Sequence, residues 1–397
     1  MIVVEFVKDD VAHVNCNATI LAVLLIKYPN ETLHFFCGQK HFDNIIKELK
    51  SHNIDSKNIV HHKINPISKI TREYSYIGFQ FKIVKNIFNF AKENKEKKIY
   101  FLLTLTFFLF FLKLFCFLNK DIKVHTIIHQ ELEKIDMKEY LSHTVKNKVL
   151  TFLYVFFFGI QNPLKLPTPK NLKYMVYGDS IRNNAIKILK NIESSLISIP
   201  TPYIYSTISK TKRNIINKPI NLGIVGVCGK HKNSDMVYNF IDNINKLNTN
   251  SFKVIFSGKI TDIDLYKKLQ EYDFVERKSL STEMISIELR NEMLKEMDYA
   301  VLLNNVGSYK YTSSGALSDA IDNEKPIIAL TNDYIEEYIR KYGNIGYTFN
   351  SIEELNSKIK SLSESFPIEE YYEQINNIRK IKEIENIQNV AEILKDF

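Results

Sequence analysis

A turn of small hydroxyl residues precedes a short predicted helix late in this sequence. Ser313, Ser314 and Gly315 follow a tyrosine-rich loop, and Asp319 lies about one turn into the helix. The first turn of a helix leaves backbone N–H groups unpaired, and the helix dipole makes that end attractive to an anion. Gly315 lets a ligand approach the backbone, while the two hydroxyls can cap the helix or contact a phosphate. The turn therefore indicates a phosphate site, with an ordinary capped helix as the alternative.

Two histidines stand at the ends of predicted strands in the first half of the chain. His13 follows the strand predicted at 2–7, and His129 ends the strand predicted at 123–129. Ligands of open α/β sheets bind outside the carboxyl ends of strands. A histidine there can take a proton from an acceptor hydroxyl, because its pKa lies close to working pH. A single histidine is more often structural, but these two are the best catalytic candidates in this half.

The elements that must position these residues alternate throughout the chain. Hydrophobic patterns predict strands at 2–7, 32–37, 59–62, 98–104 and 123–129, and helices at 18–27, 42–52, 78–95 and 107–118. In the second half they predict strands at 221–227, 253–257, 299–303 and 326–330, with helices between them. This alternation favours parallel sheets built from βαβ units. The predicted fold class is α/β, with two Rossmann-like domains facing each other across a cleft.

A polar, proline-marked connector at 200–218 separates the two sets of elements. It predicts a first domain at 1–206 and a second at 207–366. The charged tail at 367–397 has helical spacing.

Composition limits the function classes. The 397 residues suggest two domains, and an apolar content of 45% is enough for two cores. Four cysteines without CxxC spacing predict neither a zinc site nor a disulfide framework. No signal peptide precedes the first strand, so we expect a cytoplasmic protein. The formal charge of +8 suits anionic partners, but the lysines are dispersed and no nucleic-acid partner is expected.

Two apolar segments raise the question of membrane contact. Residues 99–118 are about long enough to span a bilayer, but Lys113 interrupts them and Thr104 marks a strand end. We therefore predict a buried strand–helix unit there. The aromatic run at 151–160, after the basic 146–148, is either a core helix or a segment that enters an anionic headgroup layer. Peripheral contact with the inner face of the cell membrane stays open, and an integral topology is not expected.

The turn and its surroundings resemble a known family. Asp319 lies on a helix that leads into Lys-Pro-Ile-Ile at 325–328, an order similar to the nucleotide-sugar half of GT-B glycosyltransferases. The resemblance implies that the small-residue turn surrounds a donor diphosphate. It also implies that the loops with the two histidines face the acceptor, and that the tail packs back on the first domain.

A glycine-rich segment resembles the part of this family that neutralises the diphosphate. Gly-Ile-Val-Gly-Val-Cys-Gly-Lys-His-Lys at 223–232 leaves a predicted strand and enters a helix. The resemblance makes Lys230 and Lys232 candidate phosphate contacts, and Lys259 follows the next strand. Lysine can stabilise a departing diphosphate without a metal, so no metal and no cofactor beyond the nucleotide-sugar donor is expected. The glycines do not fit GxGxxG, and neither GxxxxGK(S/T) nor HExxH occurs.

The sequence departs from the family pattern at two places. An arginine is frequent in the family where Val227 stands, so only the lysines are carried over. Many retaining members have two glutamates with seven residues between them, and here Tyr311 and Asp319 take those positions. Asp319 can accept hydrogen bonds from a ribose or sugar hydroxyl, but Tyr311 cannot act as a carboxylate. Retention or inversion of stereochemistry therefore stays open.

The leading hypothesis is a hexosyltransferase-like enzyme of bacterial polysaccharide, capsule or lipopolysaccharide biosynthesis. It would move a sugar from a nucleotide-diphosphate donor to a glycan or lipid-linked acceptor. One alternative is a catalytically silent GT-B-like module that binds a carbohydrate or a partner protein. Another is a GT-B-shaped epimerase, for which the sequence offers fewer carboxylate candidates. Nothing in the sequence identifies the sugar, the base or the acceptor.

Overall fold

The computed structural model describes residues 1–7, 13–66, 73–129, 131–136, 149, 152, 155–156, 159–208, 219–229, 233–247, 250–304 and 309–394. Contacts divide the chain into two compact units. The first unit contains Met1–Ile204, Lys310–Ser313 and Glu385–Phe397, and the second contains Tyr205–Tyr309 and Ser314–Ile384.

Each unit is built on a parallel sheet. The strands are β1 Ile2–Val4, β2 Leu33–Cys37, β3 Ile59–Lys63, β4 Lys98–Phe101, β5 Lys123–Ile127, β6 Leu172–Tyr177, β7 Leu196–Ile199, β8 Ile220–Ile224, β9 Phe252–Phe256, β10 Tyr299–Leu302, β11 Ile327–Leu330 and β12 Gly346–Phe349. In the described part of the first unit they are ordered β3-β2-β1-β4-β5-β6-β7, and in that of the second β12-β11-β10-β8-β9. Every neighbouring pair is parallel.

Helices connect the strands, as parallel pairing requires. They are α1 Val14–Lys27, α2 Gln39–Ser51, α3 Glu73–Glu93, α4 Thr106–Leu118, α5 Gln161–Lys165, α6 Asp179–Ile188, α7 Ser234–Leu247, α8 Ile263–Leu269, α9 Ile287–Glu296, α10 Gly315–Asp322, α11 Asp333–Tyr342, α12 Ile352–Glu364, α13 Ile368–Ile384 and α14 Ile387–Ile393. The tail is divided between the units, because α13 belongs to the second and α14 packs on α1 in the first.

The first sheet is covered on both faces. Side chains alternate across a strand, so neighbours on β4 point in opposite directions. Tyr100 joins a core with α1, α2 and α14. The ring of Phe101 lies 4.9 Å from that of Phe108 on α4, which packs between α3 and α5. The strands are therefore buried on both sides and read as continuous apolar runs.

The predicted α/β class with two parallel sheets is confirmed, but three strands were missed. The sequence analysis omitted β6, β7 and β12. β7 and β12 have four residues each and lie at sheet edges. A half-buried edge strand needs little apolar pattern, so such short segments give a weak signal.

The apolar stretch at 99–118 forms β4 and α4, as predicted. Lys113 is buried on α4, where its Nζ donates to the carbonyls of Pro163 and Leu166 at 2.7 Å each. These carbonyls lie at the carboxyl end of α5, where a cation is favoured. Within the described chain, no helix combines the length and the apolar character needed to cross a bilayer.

Candidate active site

The second sheet has a switch in strand order at β8. β9 pairs on one side of β8 and β10 on the other, so the connections after β8 and β9 leave in opposite directions. Ligands of open α/β sheets bind at the carboxyl ends of strands at such a switch. The loops after β8, β9 and β10 are therefore the candidate ligand-binding loops of this unit.

The loops after β8 and β9 touch through their backbones. A Cβ atom on Gly258 would lie 2.2 Å from the carbonyl oxygen of Gly226, a distance that no side chain can occupy. Gly226 has φ of 90°, a conformation that disfavours other residues. The amide of Cys228 donates to the carbonyl of Lys259 at 2.9 Å and locks the two loops together. Glycine at 226 and 258 is thus explained by packing within the protein.

The helix α10 begins beside this loop pair. Ser314 is its N-cap, and its hydroxyl accepts a hydrogen bond from the amide of Leu317 at 3.2 Å. A Cβ on Gly226 would be 3.9 Å from that of Ala316, in the first turn of the helix. Gly315 is exposed, and a Cβ added to it would meet no atom within 4 Å. Packing within the protein does not require glycine at 315, unlike at 258, and the space beside its backbone is open.

Asp319 is held by an arginine that sequence reasoning missed. Its side chain is buried on α10, and Oδ1 accepts from Nη2 of Arg290 on α9 at 3.1 Å. The Nε atom of Arg290 is buried and has no hydrogen-bond partner within the described chain. A buried donor without a partner is costly, so this position suits a ligand acceptor. No spacing signal links residues 290 and 319, because they lie on different helices.

The candidate lysines are only partly described. Lys259 follows β9, and its Nζ lies 3.9 Å from Oε2 of the exposed Glu283. At that distance an exposed pair contributes little and does not fix the ammonium group. Lys230 and Lys232 lie outside the described residues.

Tyr311 and Ser313 belong with the first unit, whereas Ser314, Gly315 and Asp319 belong with the second. The ring of Tyr311 is buried, and its hydroxyl donates to Oδ2 of Asp136 at 3.2 Å. The contact that the sequence predicts between the donor and Tyr311 or Ser313 stays a prediction.

In the first unit, His13 and His129 come together. Their rings are perpendicular, with centroids 5.8 Å apart, and both side chains are half-buried. His13 is the N-cap of α1 and has φ of 64°, in the left-handed region. A non-glycine residue there costs free energy, and such residues are found at functional sites more often than elsewhere.

The two histidines differ in their surroundings. Burial, together with the neighbouring His13, lowers the pKa of His129 to about 4. His129 is therefore neutral near pH 7, and the ring of Tyr177 lies 5.8 Å from it. A neutral imidazole does not repel a positive charge forming on His13.

A buried carboxylate lies at the carboxyl end of β1, and the sequence analysis missed it. Glu5 is inaccessible to solvent, and its oxygens accept from the amide of Val7 at 2.8 Å and from Nδ2 of Asn17 at 3.1 Å. The same amide group of Asn17 lies 3.0 Å from Nε2 of His41, which is also fully buried. This network ties β1 to the first turn of α1, where His13 lies. A glutamate within an apolar strand was the available signal, since an unpaired buried charge is too costly to persist.

Among the described residues, no three His, Cys, Asp or Glu side chains are grouped so that they could hold a metal ion.

Solved structures share this fold. The apo form of the lipopolysaccharide outer core galactosyltransferase WaaB has a TM-score of 0.61 at 11% identity, over 99% of this chain and 98% of that one. S. aureus TarM, in complex with fondaparinux, alpha-GlcNAc-glycerol and UDP, has a TM-score of 0.59 at 10% identity, over 99% and 98%. UDP-GlcNAc 2-epimerase from Neisseria meningitidis, bound to UDP-GlcNAc, has a TM-score of 0.55 at 13% identity, again over 99% and 98%.

The chain therefore has the GT-B fold, as the resemblance predicts. No protein-family model matches it, and no curated protein is similar to it in sequence. The likeness is one of fold, since transferases and an epimerase share it.

Proposed function

We propose that this protein is a glycosyltransferase that moves a sugar from a nucleoside-diphosphate sugar to a glycan or lipid-linked acceptor. The observation that carries the proposal is the open backbone at Gly315, where α10 begins beside the touching loops of Gly226 and Gly258. This combination offers an anion both main-chain donors and the positive end of a helix. Two proteins with the same fold hold UDP or UDP-GlcNAc in their structures.

In this proposal the donor diphosphate lies against the amides at the start of α10. The hydroxyl of Ser314 caps the helix, so its amide and that of Gly315 supply the main-chain contacts. Lys259, with Lys230 and Lys232, neutralises the charge that develops on the departing diphosphate, and no metal is needed for that step. Arg290 orients Asp319 towards a ribose or sugar hydroxyl.

The acceptor reacts at the first unit. The acceptor oxygen bonds to the anomeric carbon, the bond from that carbon to the phosphate oxygen breaks, and the nucleoside diphosphate leaves. In an inverting reaction His13 takes the hydroxyl proton, and the neutral His129 leaves the resulting imidazolium unopposed. The acceptor is a polysaccharide or lipid-linked glycan, and the protein reaches it by peripheral contact with the membrane.

Ligand screening tests the proposal. The wild-type protein is melted with UDP, GDP, dTDP, CMP and their sugars, and the nucleotide that stabilises it most is taken forward. A ligand at a hundredfold excess over its Kd stabilises the fold by about 2.7 kcal/mol, which is readily detected. Slow hydrolysis of the matching sugar donor would support an enzyme. A protein that neither binds a nucleotide nor hydrolyses any donor would be a silent module, and the proposal would be wrong.

A further inference from the structure

The helix α4 has its charged and apolar residues in an unusual arrangement. Its one charged residue, Lys113, is buried against α5, while Leu114, Phe117 and Leu118 are 50%, 47% and 70% exposed. A surface helix of a globular protein normally turns its polar side to water. The outward side of α4 is instead aromatic and aliphatic, so core formation does not explain it.

The neighbouring helix extends this surface. Phe81 on α3 is 40% exposed, and its ring lies 5.3 Å from Phe111 and 5.9 Å from Phe115 of α4. We call Phe81, Leu114, Phe117 and Leu118 the α3–α4 apolar face.

More exposed aromatic residues lie close to α5. Phe152 and Phe156 stack at 5.9 Å and are 42% and 56% exposed. Nδ2 of Asn162 on α5 donates to the carbonyl of Phe156 at 2.9 Å, and Lys113 ties α5 to α4. The aromatic run thus continues the exposed apolar surface of the first unit.

The charges around the face are basic. Residues 76–120 contain eight lysines and two glutamates. Lys82 and Lys85 are exposed beside Phe81 on α3, and Lys120 is exposed just after Leu118. No carboxylate of the described residues forms an ion pair with these three lysines. Exposed aromatic and aliphatic side chains beside lysines match the boundary between acyl chains and anionic headgroups.

We infer that the α3–α4 apolar face docks the first unit on an anionic lipid bilayer. Its side chains enter the acyl boundary, and Lys82, Lys85 and Lys120 contact the headgroups. The charge complementarity favours anionic lipid over a second copy of this chain, whose identical face would bring lysines against lysines. The inference rests on the proposed function only for its purpose, which is to bring the enzyme to a lipid-linked acceptor.

Vesicle flotation with the full chain tests the inference. Wild-type protein should float with vesicles of equal parts phosphatidylglycerol and phosphatidylcholine, and hardly with phosphatidylcholine alone. The double variant L114S/L118S should bind the anionic vesicles at least about tenfold more weakly. Lys82→Glu with Lys85→Glu should lose binding mainly at low salt, because surface charges are screened. Val60→Ser is the matched control, since Val60 is 43% exposed on the edge strand β3 of the same unit.

Each outcome decides the question. Thermal melting and nucleotide binding in solution show whether the variants are folded, since the exposed positions should tolerate serine. Wild-type protein that ignores anionic vesicles, or L114S/L118S that floats as wild type does, would overturn the inference. A wild-type dimer that L114S/L118S converts to a monomer, without vesicle binding, would assign the face to a second copy instead. Vesicle binding without nucleotide binding would reject the proposed function and leave this inference standing.

Discussion

Two glycines of the second unit should respond to substitution in opposite ways. At Gly315 an added Cβ meets no protein atom within 4 Å, whereas at Gly258 it would lie 2.2 Å from a backbone oxygen. Gly315→Val should therefore leave the fold intact, and the loss of glycine flexibility should cost nothing or stabilise slightly, by up to about 1 kcal/mol. Gly258→Ala should instead destabilise the second unit, by about 2 kcal/mol or more, because two backbone segments must separate.

Nucleotide affinity separates the two variants. The branched side chain of Gly315→Val occupies the space through which a phosphate reaches the amide, so one charge-assisted hydrogen bond should be lost. Such a bond contributes about 1.5–3 kcal/mol, and Kd should rise roughly ten- to a hundredfold. Isothermal titration with the best nucleotide, beside urea unfolding of both variants, measures the effect. Wild-type affinity in a folded Gly315→Val protein would refute the assignment of the phosphate site to the start of α10.

Three further predictions concern the first unit. His13→Asn keeps a residue that tolerates the left-handed backbone, so sugar transfer should fall about a hundredfold or more while nucleotide affinity is unchanged; equal transfer rates would remove His13 as the base. The pKa of His129 is lowered, so the unfolded state binds a proton that the folded state does not as pH falls from 6.5 to about 4. The free energy of unfolding should fall by up to about 3 kcal/mol across that window, a drop that should be largely absent in His129→Gln if denaturant unfolding is followed against pH. Glu5→Gln places an amide donor against the amide of Val7 or of Asn17, so it should cost about 1–3 kcal/mol by urea unfolding, and an unchanged midpoint would disprove this account of the buried network.

The candidate donor site illustrates what local sequence can and cannot reveal. Ser314 and Gly315 were identifiable because capping and glycine chemistry act within a few residues of chain. The role of Gly258 was not, since its requirement comes from a carbonyl of residue 226, which belongs to another loop. Arg290 was missed for the same reason, because its partner Asp319 lies on a different helix.

The sequence by itself determined the alternation of strands and helices, because apolar periodicity and helix-start residues are local properties. It therefore predicted β4 followed by α4, and histidines at the ends of two strands. Only the tertiary structure decided that His13 meets His129, which depends on the order β1-β4-β5 in the sheet. It also decided that Lys113 faces inward to the end of α5, because the direction of a side chain depends on what packs against the helix. With that lysine buried, the outer side of α4 is left apolar, a property that no periodicity in the sequence could assign to one side or the other.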